Sequence, residues 1–91
     1  MKVDQKGHTT YIKDTQGDLA SFLGKVTHEY KTFEKQNIII DIKAYKSLSV
    51  KEVNSFLPLS KLHKKAKKSF VIVAQEMDFN AISDKLAVVR S

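Results

Sequence analysis

The chain has 91 residues, of which 42% are apolar, so it is long enough for one domain with a modest core and too short for two. It contains no cysteine, which excludes disulfides, thiolate metal sites and cysteine nucleophiles and is typical of a reducing compartment. The net charge of +6 is compatible with an anionic partner. No apolar run approaches the roughly 20 residues that span a bilayer, and the N-terminus lacks a signal-peptide core, so we expect a soluble cytoplasmic protein without a membrane partner.

The N-terminal segment, residues 1–15, alternates between polar and apolar side chains in short steps. Its apolar residues include Val3, Tyr11 and Ile12, and Lys6-Gly7-His8 lies between them. A glycine-containing turn between two alternating runs is typical of a β-hairpin. We therefore predict that the chain begins with two antiparallel strands.

A helix is predicted to follow Gly17 and Asp18, which end the hairpin. Apolar residues recur from here at spacings of three and four, which places them on one face of a helix. The opposite face is polar, so the helix is expected to cover a sheet with one side and to meet water with the other. The apolar residues are Leu19, Phe22, Leu23, Val26, Tyr30 and Phe33.

The central segment predicts a βαβ unit. Residues 37–42 (Asn-Ile-Ile-Ile-Asp-Ile) are rich in β-branched residues, as expected for a central strand shielded on both sides, and residues 69–73 (Ser-Phe-Val-Ile-Val) form a second apolar strand. Between them, Ser49 and Glu52 fit the capping-box pattern that opens a helix. A helical crossover makes the two strands parallel. We interpret Ser49 as a helix cap, with a phosphorylated or catalytic serine as the alternative.

The second helix contains a proline, Pro58, which removes a hydrogen bond and clashes with the preceding turn. Either the helix kinks near residues 54–58, or two short helices are present, with Pro58 in the first turn of the second. A short helix or turn over residues 78–83 and a last parallel strand over 86–89 complete an α/β fold, a mixed sheet with helices packed against it. The apolar residues of the second helical segment are Val53, Phe56, Leu57, Leu59, Leu62 and Ala66.

This element order resembles the STAS domain, the fold of anti-sigma factor antagonists, over nearly the whole of residues 1–91 as one domain. The resemblance rests on the 37–42 strand, on the capped helix and on residues 68–73 that follow it. The family's Asp-Ser-Ser-Gly-Leu motif, whose second serine is phosphorylated, falls on residues 49–53. Lys51 occupies the phosphoacceptor position and Glu52 the glycine position, so the resemblance implies a member without the phosphorylation switch.

The resemblance implies a non-catalytic, regulatory protein-interaction module of bacterial type that needs no cofactor. Its partner, a protein, would dock on the loop after the central strand and on the start of the second helix. No catalytic or metal-binding residue is assigned. The residues predicted to bind the partner are Lys43, Tyr45, Lys46, Ser47, Ser49, Lys51 and Glu52.

STAS domains finish with a further helix packed on the sheet, whereas only Arg90 and Ser91 follow the predicted last strand. We therefore expect a domain shortened at its C-terminus, whether in nature or by cutting. Uncovered apolar area tends to be buried between molecules. Homodimerisation or strand exchange is accordingly predicted.

A lysine cluster near the end of the second helix supports the alternative function, an RNA- or nucleic-acid-associated accessory protein. On a helix, four of these lysines (Lys61, Lys64, Lys65 and Lys68) share one solvated face, while Leu59, Leu62 and Ala66 share another, apolar face. Lysines in the last turn also complement the helix dipole. No aromatic residue lies between Pro58 and Ser69 to stack on bases, which disfavours nucleic acid. The cluster consists of Lys61, Lys64, Lys65, Lys67 and Lys68.

Metal and acid–base chemistry receive little support from the sequence. The three histidines, His8, His28 and His63, are predicted on a turn and two helices, without ligand spacing. The chain is also similar to short proteins grouped with ribonuclease Z, but it lacks the His-x-His-x-Asp-His cluster of that hydrolase, so this similarity would imply association and not activity. A small enzyme centred on Asp41, with Asp78 nearby, is the third hypothesis. The favoured interpretation of Asp41 is that its carboxylate accepts hydrogen bonds from backbone amides of the adjoining loop.

Overall fold

The computed structural model describes residues 1–14 and 18–90. Its architecture is the predicted α/β fold, a mixed sheet of five strands with the helices packed against it. The predicted hairpin, central strands and last strand are all present. The elements are β1 (Lys2–Lys6), β2 (Thr9–Lys13), α1 (Leu19–His28), α2 (Tyr30–Phe33), β3 (Asn37–Asp41), α3 (Val50–Asn54), α4 (Leu57–Lys65), β4 (Phe70–Ala74), a 3₁₀ turn (Phe79–Ala81) and β5 (Ala87–Arg90).

The strands lie in the sheet in the order of the chain, β1-β2-β3-β4-β5. The pair β1 and β2 is antiparallel, and the pairs β2 with β3, β3 with β4, and β4 with β5 are parallel. The predicted parallel pairing of β3 with β4 is therefore confirmed, and β2 adds a further parallel strand. Asn37, predicted to end the first helix, is the first residue of β3.

Lys6 and Thr9 are paired across the two strands of the hairpin, and the two residues between them form its turn. Gly7 has a φ of +61°, a backbone conformation that costs a residue with a side chain about 1–2 kcal/mol. A glycine at the first central position is what a type II′ hairpin turn requires. Gly7 therefore sets the register of β1 against β2.

The first helical segment begins as expected after Asp18, whose carboxylate accepts hydrogen bonds from the backbone N–H groups of Ala20 and Ser21 at 3.1 and 3.4 Å. Gly17, also predicted to mark this boundary, lies outside the described residues. The segment is divided at Glu29 into α1 and α2. All the predicted apolar residues of this segment are buried except Leu23, which is half-buried.

Of the two predictions for the second helical segment, two short helices is the one confirmed. The helix α3 ends at Asn54, and α4 begins at Leu57 with Pro58 in its first turn. Proline is tolerated there because the N–H groups of the first turn have no partner within the helix. The division also lets Phe56, between the two helices, enter the core with no exposed area.

All the helices lie on one face of the sheet. The ring of Phe56 contacts those of Phe22 on α1 and Phe70 on β4, with ring centroids 6.4 and 6.5 Å apart. The core is the single layer between these helices and that face. Its fully buried members include Ile12, Phe22, Val26, Ile38, Ile40, Val53, Phe56, Phe70 and Ile72.

The buried side of α4 differs from the sequence prediction. Leu62 and Ala66 were placed with Leu59 on the apolar face of that helix, but Leu62 is 49% exposed and Ala66 is exposed as well. The fully buried position is His63. Its Nδ1 lies 2.7 Å from the hydroxyl of Tyr30, and its Nε2 lies 2.7 Å from the carbonyl oxygen of Gln36. Because both ring nitrogens have partners, burying the imidazole leaves no polar group unsatisfied.

Replacing Val53 by aspartate should unfold the domain. Val53 is fully buried, so the new carboxylate would lack both water and a partner, at a cost of about 3 kcal/mol or more. Chemical denaturation followed by circular dichroism measures the effect, with Val3→Asp on the exposed edge strand as the control. A Val53→Asp variant as stable as the control would show that the core is wrongly assigned.

The stability of the domain should fall as the pH drops below about 6.5 because of His63. Burial lowers the pKa of this imidazole below its ordinary value of 6.5, so the unfolded chain takes up a proton in a pH range where the folded chain does not. Denaturant midpoints measured between pH 7.5 and 5.5 should decline for the wild type and for His28→Gln, an exposed control. They should decline less for His63→Gln, and an equal decline would contradict this account.

Candidate functional site

The residues predicted to bind a partner lie along one short stretch of the chain, which we call the loop surface. It comprises the loop between β3 and α3 together with the first turn of α3. Lys43 and Tyr45 are half-buried. The remaining members are exposed: Lys46, Ser47, Ser49, Lys51 and Glu52.

Asp41 anchors the start of the loop. This residue ends β3 and is only 1% exposed. Its carboxylate accepts a hydrogen bond from the backbone N–H of Lys43 at 2.9 Å and another from the hydroxyl of Tyr11, and the ammonium of Lys43 lies 3.7 Å away. The hydrogen bond to Asp41 raises the pKa of Tyr11 to about 12, so the phenol remains a donor at neutral pH. The predicted bonding of Asp41 to backbone of the adjoining loop is confirmed.

A second buried carboxylate, Asp14, holds the middle of the loop. Asp14 directly follows β2 and is 3% exposed, and it accepts a hydrogen bond from the hydroxyl of Tyr45. Its backbone N–H also donates to the carbonyl oxygen of Asp41 at 3.2 Å. Burial, together with the neighbouring Asp14 carboxylate, raises the pKa of the Tyr45 phenol. The loop is thus bound to the ends of both β2 and β3.

The capping box predicted from the sequence fixes the far end of the loop. The hydroxyl of Ser49 accepts from the backbone N–H of Glu52 at 3.1 Å, and the carboxylate of Glu52 accepts from the backbone N–H of Ser49 at 3.1 Å. Leu48, just before the cap, is buried in the core. The exposed side chains of the loop surface therefore stand on backbone that is held at both ends and in the middle.

Sequence reasoning missed Tyr11 and Asp14 as members of this region. Asp14 and Asp41 both come at the carboxyl ends of strands, and such ends meet at one edge of a parallel sheet. That signal could be used only if β2 were known to run parallel to β3. Tyr11 pairs in register with Ile39, which places its ring two positions from Asp41 on the neighbouring strand.

Asp41 and Asp78, the two carboxylates of the enzyme hypothesis, have different surroundings. Asp78 is exposed before the 3₁₀ turn, whereas Asp41 is buried and bonded to Tyr11 and Lys43. The crevice that binds ligands in open α/β sheets forms where the strand order reverses, and this sheet has no reversal. In residues 1–14 and 18–90, no three His, Cys, Asp or Glu side chains gather closely enough to hold a metal ion.

The lysine cluster lies apart from the loop surface, on the last turns of α4 and the residues that follow. The cluster is exposed except for Lys68, which is half-buried. The ammonium of Lys64 donates to the carbonyl oxygen of Lys85 at 2.7 Å, so this lysine holds the segment before β5. His8 and His28 are exposed on the turn and on α1, as predicted, and His63 is the buried residue described above.

Comparison with protein-family models gave no match, and comparison with curated proteins gave none either. In the part of the chain that the structure describes, no helix has the length and the apolar character needed to cross a membrane. A cavity of about 290 Å³ forms an apolar groove between α1 and the start of α4. It is lined by Leu23, Thr27, Ser55, Pro58, Leu59 and Leu62.

Replacing Ser49 by alanine should lower the free energy of unfolding by about 1 kcal/mol through loss of the cap. Ser47→Ala is the matched control, because that serine is exposed in the loop. Urea titrations of the two variants provide the measurement. If Ser49→Ala weakened partner binding strongly while stability was unchanged, the serine would have a direct binding role instead.

Proposed function

We propose that the protein is a non-catalytic protein-interaction module of regulatory type, which docks a partner through the loop surface. The observation that carries the proposal is the combination of exposed side chains with a fixed backbone. Asp41, Asp14 and the capping box hold the loop, so little conformational freedom is lost when a partner binds. The exposed lysines and serines offer donors to a partner that carries acceptors.

The resemblance to STAS domains supports the same proposal. It does not imply a phosphorylation switch in this chain. The position that matches the phosphoacceptor serine is Lys51, which is exposed and already charged. Ser49, which occupies the position of the motif's aspartate, is engaged in the cap. We therefore propose a constitutive, cytosolic docking module, in which no phosphorylation event at this position changes the affinity for the partner.

Nucleic-acid association through the lysine cluster is the second candidate. The exposure of Lys61, Lys65 and Lys67 and the net charge of +6 favour it. Binding of this kind loses about one log unit of affinity per log unit of salt for each phosphate contact, whereas docking of a protein through mixed contacts depends less on salt. Homodimerisation or strand exchange, expected from the sequence, also stays a prediction.

The proposal predicts that changing the loop surface removes a protein partner without unfolding the domain. The double variant Lys46→Glu with Lys51→Glu alters two exposed side chains of the loop surface. Its control is Lys61→Glu with Lys65→Glu, which changes the net charge by the same amount on α4. Each immobilised protein is incubated with lysate of its source organism, and the retained proteins are quantified by mass spectrometry.

At least one protein should be depleted about tenfold on the loop variant and retained on the control, and its direct binding should then be reproduced with purified components. Circular dichroism should show that both variants are folded. Retention of the same proteins on both variants would contradict the proposal. Loss only on the control, together with sensitivity to nuclease, would instead support nucleic-acid association.

A further inference from the structure

The sheet has a second face that none of the described helices covers, which we call the open face. Strand pairing places Tyr11, Ile39, Val71 and Ala87 in one row across β2–β5. The core residues Ile12, Ile40 and Ile72 alternate with this row and point to the helical side, as their complete burial shows. Because side chains alternate between the two faces along a strand, the open face carries the residues of this row and every second residue from them along each strand.

The segment between β4 and β5 does not cover the open face. Its backbone is tied to the helical layer by the N–H of Ser83, which donates to the Asn54 side chain at 3.4 Å. The guanidinium carbon of Arg90 lies 5.0 Å from the centre of the Phe79 ring in this segment. Arg90 has the same strand parity as Val88, which is half-buried on the helical side of the sheet. This segment therefore lies toward the helical side of the sheet.

The centre of the open face is apolar. Ile39, Val71 and Val73 are half-buried, Ala87 is exposed, and Val89 is 46% exposed. These five residues belong to the three neighbouring strands β3, β4 and β5. The outer two of three strands lie about 10 Å apart, and an α-helix with its side chains is about 10–12 Å wide. The apolar stripe is one helix wide.

One side of this stripe carries a positive border. Lys2, Lys6 and Lys13 are exposed on β1 and β2 and have the parity of the open face. Asp4 is the single carboxylate of this parity on β1 and β2. Asp41, opposite Lys13 on β3, is buried and is bonded to Tyr11 and paired with Lys43. The border therefore has a net charge of +2, and it lies where the flank of a helix on the stripe would pass.

We propose that the open face is a docking surface for one acidic amphipathic helix of a partner protein. Its apolar residues would cover the stripe, and its acidic flank would face Lys2 and Lys13. A second copy of this chain fits less well, because each copy has a charge of +6 and a stable interface involves about 20–30 residues a side, far more than the stripe offers. This surface is separate from the loop surface and does not depend on the function proposed for it.

The test uses two synthetic 18-residue peptides with the same leucine-rich apolar face, one with glutamates and one with lysines on the polar face. Binding of each labelled peptide is measured by fluorescence anisotropy at low and moderate salt. The glutamate peptide should bind the wild type at least ten times more tightly than the lysine peptide. Equal binding of the two peptides, or binding of neither, would overturn the proposal.

Variants then locate the binding. Ala87→Lys with Val89→Lys changes two exposed residues of the stripe and should weaken the glutamate peptide at least tenfold. Leu62→Lys, on the apolar groove between the helices, should have no effect. Loss on Leu62→Lys with binding retained on the stripe variant would place the helix in the groove and overturn the assignment.

Charge reversal separates recognition at this border from general attraction to a basic protein. Lys2→Glu with Lys13→Glu should reverse the preference toward the lysine peptide. Lys61→Glu with Lys65→Glu changes the net charge equally and should keep the preference for the glutamate peptide. If both double variants changed the preference in the same way, the proposal would be contradicted. It would also be contradicted if light scattering showed that the wild type is a dimer and the peptide did not bind to that dimer.

Discussion

The arrangement of this protein depends on the handedness of its crossovers. The strands follow one another across the sheet in chain order, and connections between parallel strands have one hand. Each crossover therefore returns on the same side, and α1 to α4 form one layer. The aromatic cluster of Phe22, Phe56 and Phe70 marks where that layer meets the sheet. In the described residues, the same constraint places no helix on the other face.

The consequences for function follow from this asymmetry. The carboxyl ends of β2 and β3 meet at one edge of the sheet, where Asp14 and Asp41 are buried under tyrosine hydroxyls. Both carboxylates accept hydrogen bonds that hold the backbone of the loop in place. An exposed loop on fixed supports suits recognition of a partner. The open face offers a second, chemically different surface for recognition.

The sequence was sufficient for the features that depend on local pattern. Glycine at the hairpin, the spacing of apolar residues in α1, the capping box and the β-branched strands each involve residues close in the chain. The local sequence could not decide between a kinked helix and two short helices at Pro58, since both arrangements accommodate a proline. The division into two helices depends on the burial of Phe56 in the tertiary core.

What could not be predicted depends on contacts between distant segments. His63 was not recognised as a core residue because polarity alone assigns imidazoles to the surface, and its partners Tyr30 and Gln36 are 33 and 27 residues away. Tyr45 and Asp14 are similarly 31 residues apart. The prediction that the 37–42 strand is shielded on both sides does not hold for Ile39, which is only half-buried on the open face. A run of β-branched residues cannot show whether a second layer covers the sheet.

The one-sided packing of the sheet can be measured directly with a soluble paramagnetic gadolinium chelate and methyl-resolved NMR. Methyl signals of Ile39, Val71 and Val89 should be broadened strongly, whereas those of Ile38, Ile40 and Ile72, on the helical side, should be almost unaffected. This difference within alternating residues of the same strands is what the account requires. Equal protection of both sets would show that the second face is covered, and equal broadening would show that the helical layer does not form.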